Sequence, residues 1–441
     1  MKNKQVLELL NGDYFLSVGL DVGADFTWMS IALPNGVFIG KPYKIIHSDP
    51  ASRDLAVAKI KEAQETYSLE SRCFLESTGI YHIPLLCFLR DKGFACYAIN
   101  PIVTKNSTNV NIRKVHNDRF DSKKAAIVGL NSKLKVSIIP DDEVIDLRNL
   151  VRDYYYFRDE QSAIVQKLTA ELKVSFPGYL GVFSKVTTKS SLRLLESYPL
   201  ASDMLSANKD DIVEIIHKTA HFGEKYALEK YDAIIAAAKD AAVFGRALPS
   251  NAVRIKNYIS IYRKLQEVLD GFLKSMHETV DGLKNRVVYD QIVLLQTFRG
   301  IGFLSAVVLI AEMGSFELFT SPKKLFAYFG LDPAVKQSGK FTGDQVHMSK
   351  RGSPLARRIL HMVAINNLKV DKGTKEPVNP VIHKFYKDKC SSKKKEVAIG
   401  AVVHKICNII YAMLRDNKPY EMITPEEHCR QYTLEHPATQ K

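Results

Sequence analysis

The first hundred residues alternate between short apolar runs and polar turns. Tyr14 to Leu20 reads as one strand and Phe26 to Leu33 as a second, and Pro34-Asn35-Gly36 supplies a turn before a third short strand at Val37–Ile39. At Ser52 the period changes. Leu55, Ala58, Ile60 and Ala63 fall at helical intervals as far as Tyr67, with Ser52 as the expected N-cap. Arg72–Glu76 then reads as a buried strand, Tyr81–Asp91 as a helix, and Phe94–Ile99 as a strand ending at Asn100-Pro101.

Three antiparallel strands followed by alternating helix and strand is the order of an α/β, ribonuclease-H-like domain, expected here over residues 1–142. Beyond it the period becomes wholly helical. Glu143 to Ser175 carries apolar positions at Ile145, Leu147, Leu150, Val151, Ile164, Val165 and Leu168 and stops at Phe176-Pro177-Gly178. Val253–Thr279 reads as a second long amphipathic helix. Residues 143–288 are therefore expected to form either an antiparallel coiled-coil arm with a helical insertion or an ordinary bundle. From 289 to 418 the pattern predicts a mainly α domain. In it Leu294–Gly302 runs into Phe303–Met313 as a helix, a Gly-x-Gly turn and a helix, the outline of a helix–hairpin–helix. A polar tail, expected to fray, occupies 419–441.

Charge changes this picture. Lys and Arg number 62 against 48 Asp and Glu, a net +14, which argues for a polyanionic partner. A membrane is the weaker candidate: the best uninterrupted apolar run, Phe303–Ala311, falls short of the roughly 20 residues a span needs. Glu8, Asn11 and Asp13 interrupt any signal-peptide core, and the six cysteines show no C-x-x-C spacing. The expectation is a cytoplasmic protein without structural zinc or disulfides.

Four acids fall at element ends. Asp21 closes the first strand just before Gly23, where a turn would present it at a sheet edge, and Glu76 closes another strand. Asp118 and Asp121 lie three apart at a helix start, on one face. Such a cluster needs cations, and Mg²⁺ suits hard oxygen donors shared with substrate phosphates. Taken singly, a strand-end Asp is ordinarily a turn former and a helix-start Asp an N-cap. The surroundings are basic: Lys105, Arg113 and Lys114 precede the helix acids, and Lys123 and Lys124 follow them. A second basic run at 336–372 holds eight Lys or Arg, among them Lys350, Arg351, Arg357 and Arg358, against two acids. Ser338 opens that run. In a polar loop such a serine is ordinarily a turn residue, although cations around it would suit a phosphate ligand or a nucleophile.

Leu20-Asp-Val-Gly23, Leu75-Glu-Ser-Thr-Gly79, Ala98-Ile-Asn-Pro101 and Asn117-Asp-Arg-Phe-Asp-Ser122 resemble the N-terminal domain of the DEDD-type insertion-sequence transposases, the family that includes Piv-like invertases and bridge-RNA-guided recombinases. Phe298-Arg-Gly-Ile-Gly302, Phe326–Pro333, Gln337-Ser-Gly339 and Met348–Gly352 with Arg357-Arg358 resemble that family's second domain. The resemblance covers roughly 14–135 and 290–415, in the family's order. It implies a RuvC-like domain whose Asp21, Glu76, Asp118 and Asp121 hold Mg²⁺, and a nucleophilic Ser338 that becomes joined to DNA. It further implies double-stranded DNA at element ends and target as substrate, a structured guide RNA, and a homo-oligomer, dimer or tetramer, in which one subunit's acids meet another's serine. Two departures stand out: Arg299 occupies a position where the family usually has Pro, adding a possible phosphate contact, and residues 176–250 are longer than in compact members.

The residues leave other classes in view. A RuvC-like junction endonuclease would use the acids to activate water. Leu20-Asp-Val-Gly23 also resembles the phosphate loop of an actin-like-fold kinase, against which stands the lack of a second Asp-x-Gly-Gly-type loop. A non-catalytic nucleic-acid-binding protein would leave the four acids without a use.

Overall fold

The computed structural model describes residues 14–76, 81–99, 118–130, 142–220, 223–333, 337–338, 341–342 and 348–435; Asp118, Ala220, Gln337, Ser338, Phe341, Thr342, Pro425, Tyr432 and Glu435 are described in backbone only. The chain divides into two compact units, Met1–Pro140 and Asp141–Lys441.

In the first unit β1 (Leu16–Val22), β2 (Phe26–Ala32), β3 (Phe38–Ile46), β4 (Ser71–Glu76) and β5 (Ala95–Ile99) form one sheet of order β3-β2-β1-β4-β5. β1, β2 and β3 are antiparallel neighbours, while β4 and β5 run parallel to β1. This is the α/β arrangement expected from the sequence. The third strand is much longer than Val37–Ile39, because it pairs with β2 from Phe38, opposite Ala32, to Ile46, opposite Phe26, across a bulge at Met29–Ile31. As a lateral edge strand it tolerates exposed Lys41 and Lys44, which broke the apolar alternation.

One face of the sheet carries Leu16, Val18, Leu20, Met29, Ile31, Ile45, Cys73 and Leu75. They pack with residues of α1 (Pro50–Tyr67) and α2 (His82–Asp91) into a single core. The N-cap of α1 is Asp49, whose carboxylate accepts from the Ala51 N–H at 3.0 Å; Ser52, the expected cap, instead accepts from the Ile46 N–H at 2.9 Å and is buried. The opposite face is covered by α3 (Asp118–Gly129).

The second unit is built on two long helices, α4 (Asp142–Ser175) and α9 (Pro249–Gly282), the latter starting four residues earlier than its apolar pattern because Pro249 opens the first turn. They run antiparallel: Glu171 contacts Asn251 and Arg254, Gln161 bonds Gln266 at 3.0 Å, and Phe157 stacks on Phe272. Between them in sequence lie α5 (Lys189–Ser197), α6 (Ala201–Ser206), α7 (Lys209–Ala220) and α8 (Glu224–Phe244), which share a core with Leu168, Leu172 and Phe176 of α4 and Ile255 and Ile259 of α9.

The other ends of the long helices enter a second core. Leu147, Val151 and Tyr155 from α4 and Met276 and Val280 from α9 pack with α10 (Val287–Gln296), α11 (Phe303–Met313), α12 (Pro322–Tyr328), α13 (Pro354–Leu368), α14 (Pro380–Cys390) and α15 (Lys395–Asp416). α15 is long and apolar enough to cross a membrane, although His404 and Lys405 divide it so that no long uninterrupted apolar run marks it in the sequence. Half of its most apolar stretch is buried in this core, including Val402, Ile406 and Ile410. The tail also departs from expectation. Pro425–Glu435 is an exposed helix, α16, started by a capping box in which the Glu427 N–H donates to Thr424 Oγ1 at 3.2 Å and Thr424 N–H donates to Glu427 Oε2 at 2.8 Å.

Candidate active site

The acidic positions in the first unit follow from how α3 seats on the sheet. Side chains alternate along a strand, so Ser17, Gly19 and Asp21 share the face opposite Leu16, Val18 and Leu20. Ser17 Oγ donates to the Ala126 carbonyl at 2.6 Å, and the Ser30 and Ser122 hydroxyls bond at 2.8 Å. Between them Gly19 lets the helix touch the strand: a Cβ there would lie 2.1 Å from the Ser122 carbonyl oxygen and 2.2 Å from the Ala126 nitrogen. The contacts fix direction. Ala126 lies over Ser17, toward the start of β1, so the first turn of α3, with Asp118 and Asp121, lies toward the end of β1 where Asp21 stands.

Glu76 comes to the same end. β1 and β4 are paired in parallel with Leu20 opposite Leu75, and the next residue on each strand is Asp21 and Glu76. Phe74 packs with Val128 of α3, so Glu76, two residues on, belongs to the α3 face as well. Asp21, Glu76 and Asp121 are each half-buried. Asp21 lies at the end of the central strand rather than at a lateral sheet edge, with Trp28 as its register partner on β2 and the Arg119 guanidinium 4.5 Å from the Trp28 ring. Among the described residues no three His, Cys, Asp or Glu side chains form a group that would hold a metal; the Asp118 carboxylate is outside that set. Lys105, Arg113 and Lys114 lie outside the described residues.

In the second unit Ser338 ends β6 (Gln337–Ser338), which pairs with β7 (Phe341–Thr342), Ser338 opposite Phe341. The segment that carries this hairpin is fastened at its base. Pro333 bridges to Met348, Ser349 N–H donates to the Asp332 carbonyl at 2.7 Å, and Lys350 N–H donates to the Gly330 carbonyl at 3.0 Å. Gly330 (φ +68°) and Gly352 cross backbone to backbone: a Cβ on Gly352 would lie 1.9 Å from the Tyr328 carbonyl oxygen, and one on Gly330 would lie 2.4 Å from the Gly352 nitrogen. Arg357 braces the crossing by donating to the Phe329 and Gly352 carbonyls at 3.0 and 2.7 Å.

Arg358 donates to both carboxylate oxygens of Asp159, at 2.8 and 2.9 Å, and lies 4.9 Å from the Tyr155 ring centroid. Lys350 and Arg351 are exposed. Arg299 donates to the Val378 carbonyl at 3.0 Å, and its own carbonyl accepts from Asn367 at 2.8 Å, which ties the turn before α11 to α13.

The pattern along the chain did not disclose the polar centre beneath these motifs. Glu312, 3% exposed and the single charged residue of α11, takes a bidentate pair from Arg152 at 2.8 and 3.0 Å, and Arg148 donates to the neighbouring Ala311 carbonyl at 2.8 Å. The hydrogen bonds to Glu312 hold the Arg152 guanidinium above its ordinary value, while burial pulls Arg148 down. Asp332 was likewise passed over, although it lies inside Phe326–Pro333. A single acid in an apolar helix is the one sequence signal for Glu312.

With these positions in hand, comparison with known proteins is direct. A model described as the Transposase IS116/IS110/IS902 family matches residues 293–386, and a DEDD-type IS110 transposase model matches 18–177. The pilin gene-inverting proteins of Moraxella bovis and Moraxella lacunata are each 32% identical over 130 residues, 29% of this chain and 38% of the relative, so the chain spans well under half of those two proteins. The insertion element IS900 uncharacterized 42 kDa protein of Mycobacterium paratuberculosis is 23% identical over 321 residues, covering 69% of this chain and 74% of that protein. The two matched regions hold every motif discussed above, in order, and the chain belongs to the IS110-type family of DEDD transposases.

Proposed function

We propose that this chain is the DNA recombinase of an insertion sequence, cutting and rejoining strands through a covalent link between Ser338 and DNA. The observation that carries the reading is the close seating of α3 on β1 at Gly19, which directs the helix start with Asp118 and Asp121 toward the strand ends of Asp21 and Glu76. The strand order supports a RuvC-like first domain, and the antiparallel pair α4 and α9 supports a coiled-coil arm. The pilin gene-inverting relatives are named for inversion, which requires that cut strands be rejoined.

The four acids fit a divalent cation by the chemistry of the donor set: all are hard carboxylate oxygens, the ligands Mg²⁺ prefers. When bound, the cation supplies neutralising charge at the scissile phosphate. In the step itself, Ser338 Oγ attacks phosphorus and forms an Oγ–P bond as the P–O bond to the departing deoxyribose oxygen breaks. The serine proton is released and the departing oxygen takes one up. Reversal restores the serine, so the phosphodiester is conserved for rejoining. Lys350, Arg351 and Arg299, with Lys105, Arg113 and Lys114, would hold strand phosphates, and Arg357 and Arg358 would do so while keeping their internal partners. A structured guide RNA that pairs with donor and target, and a homo-oligomer in the cytoplasm, complete the reading.

A covalent-trapping assay tests it. The protein, RNA from the element's flanks and Mg²⁺ are mixed with labelled element-end DNA and resolved under denaturing conditions. A DNA–protein adduct that is lost in Ser338→Ala and in Asp21→Asn is the expected result. Cleaved DNA with no adduct, indifferent to Ser338→Ala, would overturn it in favour of hydrolysis.

A further inference from the structure

A basic groove in the second unit is not used by this reading. It is formed by α14 and α15, has a volume of about 470 Å³, and is lined by Phe385, Lys389, Lys393, His404, Lys405 and Asn408. All but Phe385 lie beyond the residues matched by the family model, which end at 386. From 380 to 408 the chain carries seven lysines against two acids, Asp388 and Glu396.

The lysines are organised around one ring. Lys389 Nζ lies 5.3 Å and Lys405 Nζ 4.9 Å from the Phe385 ring centroid, and both side chains are half-buried. Among the described residues no ion pair joins Lys389, Lys393 or Lys405 to a carboxylate, whereas Arg152, Arg254, Arg263 and Arg358 each have one. Both ammonium groups thus lie against one ring, and neither has a carboxylate partner among the described residues. An anion in the groove would supply the counter-charge that the surrounding residues do not. His404 and Asn408 add hydrogen-bonding groups to the lining, and Phe385 and Ala401 add apolar surface.

We infer that this groove is a second DNA contact, which grips the duplex backbone through two or three phosphates away from the cutting chemistry. The inference rests on the recombinase reading for the identity of the polyanion. The contact reads charge and spacing without base edges, so it adds affinity equally on any sequence.

The test measures binding of the full chain to a fluorescent duplex of unrelated sequence across a NaCl series. Each phosphate contact contributes about 0.9 to the slope of log affinity against log salt. The Lys389→Gln/Lys393→Gln/Lys405→Gln variant is expected to lower that slope by about 2 to 3, and the matching Lys→Arg variant to retain it. Lys225→Gln/Lys239→Gln/Lys256→Gln, at exposed helix positions, controls for net charge. A second measurement needs no variant: DNA protects Lys389, Lys393 and Lys405 of the unaltered protein from acylation, read by mass spectrometry. Equal loss of slope in the control, no protection, or protection by RNA alone would each overturn the groove assignment. If the unaltered chain fails to bind DNA, the recombinase reading falls and takes the groove with it. If it binds DNA with the triple variant unchanged, the groove alone falls.

Discussion

Ser349 is bonded twice to Asp332, its N–H donating to the carbonyl at 2.7 Å and its hydroxyl to Oδ1 at 2.5 Å. The pair closes the base of the segment that carries Ser338. A hydrogen bond to a charged acceptor contributes about 1.5–3 kcal/mol. Ser349→Ala is therefore expected to cut the rate of Ser338 adduct formation about tenfold, with a loss of overall stability of about 1.5 kcal/mol, the low end because both residues are half-buried. Adduct kinetics and urea unfolding measured on the same preparation check both figures; an unaltered adduct rate would show that the base does not hold the serine.

Gly19→Ala should loosen α3 from β1, since the added methyl would stand 2.1 Å from a backbone oxygen that cannot turn aside. Overpacking of this kind costs about 1–3 kcal/mol. The expected result is a lowered unfolding midpoint for the first unit, with adduct formation lost before the fold is. Amide exchange at Ser122 and Ala126 reports the loosening directly, and unchanged exchange would contradict it.

Arg152→Ala leaves the Glu312 carboxylate buried without its bidentate partner. Breaking such a pair costs about 3–5 kcal/mol, and the lower end applies because the Arg152 side chain is 56% exposed. The double variant Arg152→Met/Glu312→Leu should recover most of the loss, because it removes the stranded charge as well. Denaturant midpoints for Arg152→Met, Glu312→Leu and the double change form the cycle that measures it.

Burial pushes the Tyr155 hydroxyl up to about 12, with the Arg358 guanidinium against its ring acting in the opposite direction. A tyrosine raised in the folded state adds stability that is complete below its ordinary value near 10 and is lost as pH rises through 12. Between pH 9 and pH 11 the unaltered protein should lose about 1 kcal/mol more than Tyr155→Phe. Urea unfolding at the two pH values settles it, and parallel losses would place the shift elsewhere.

The strands of the first unit were legible because their apolar alternation is regular and their turns use Gly, Pro and Asn. Asp21 and Glu76 were legible as strand ends, and Asp118 and Asp121 as a helix start. What directs the helix start toward the strand ends was not, since it depends on Gly19 and on the Leu20–Leu75 register, neither of which period alone contains. Ser52 misled because a buried serine and a capping serine look alike in sequence; the cap went to Asp49, three residues earlier. Lys41 and Lys44 hid most of β3, because an edge strand needs only one dry face. In the second unit the motifs around Gly330 and Gly352 were visible as strings, but their backbone crossing joins residues 22 apart, a distance no local period spans.

The antiparallel pairing of α4 with α9 has an evolutionary consequence. Contacts at Glu171–Arg254, Gln161–Gln266 and Phe157–Phe272 keep the two helices in fixed register while each end is anchored in a different core. The helix pair therefore behaves as a ruler with one adjustable dimension. Inserting seven residues into both helices moves the helical cap outward by about 10 Å and leaves both cores unchanged, whereas seven residues in one helix alone would break the register. Span can thus be tuned by lineage through matched insertions, independently of the chemistry at either end.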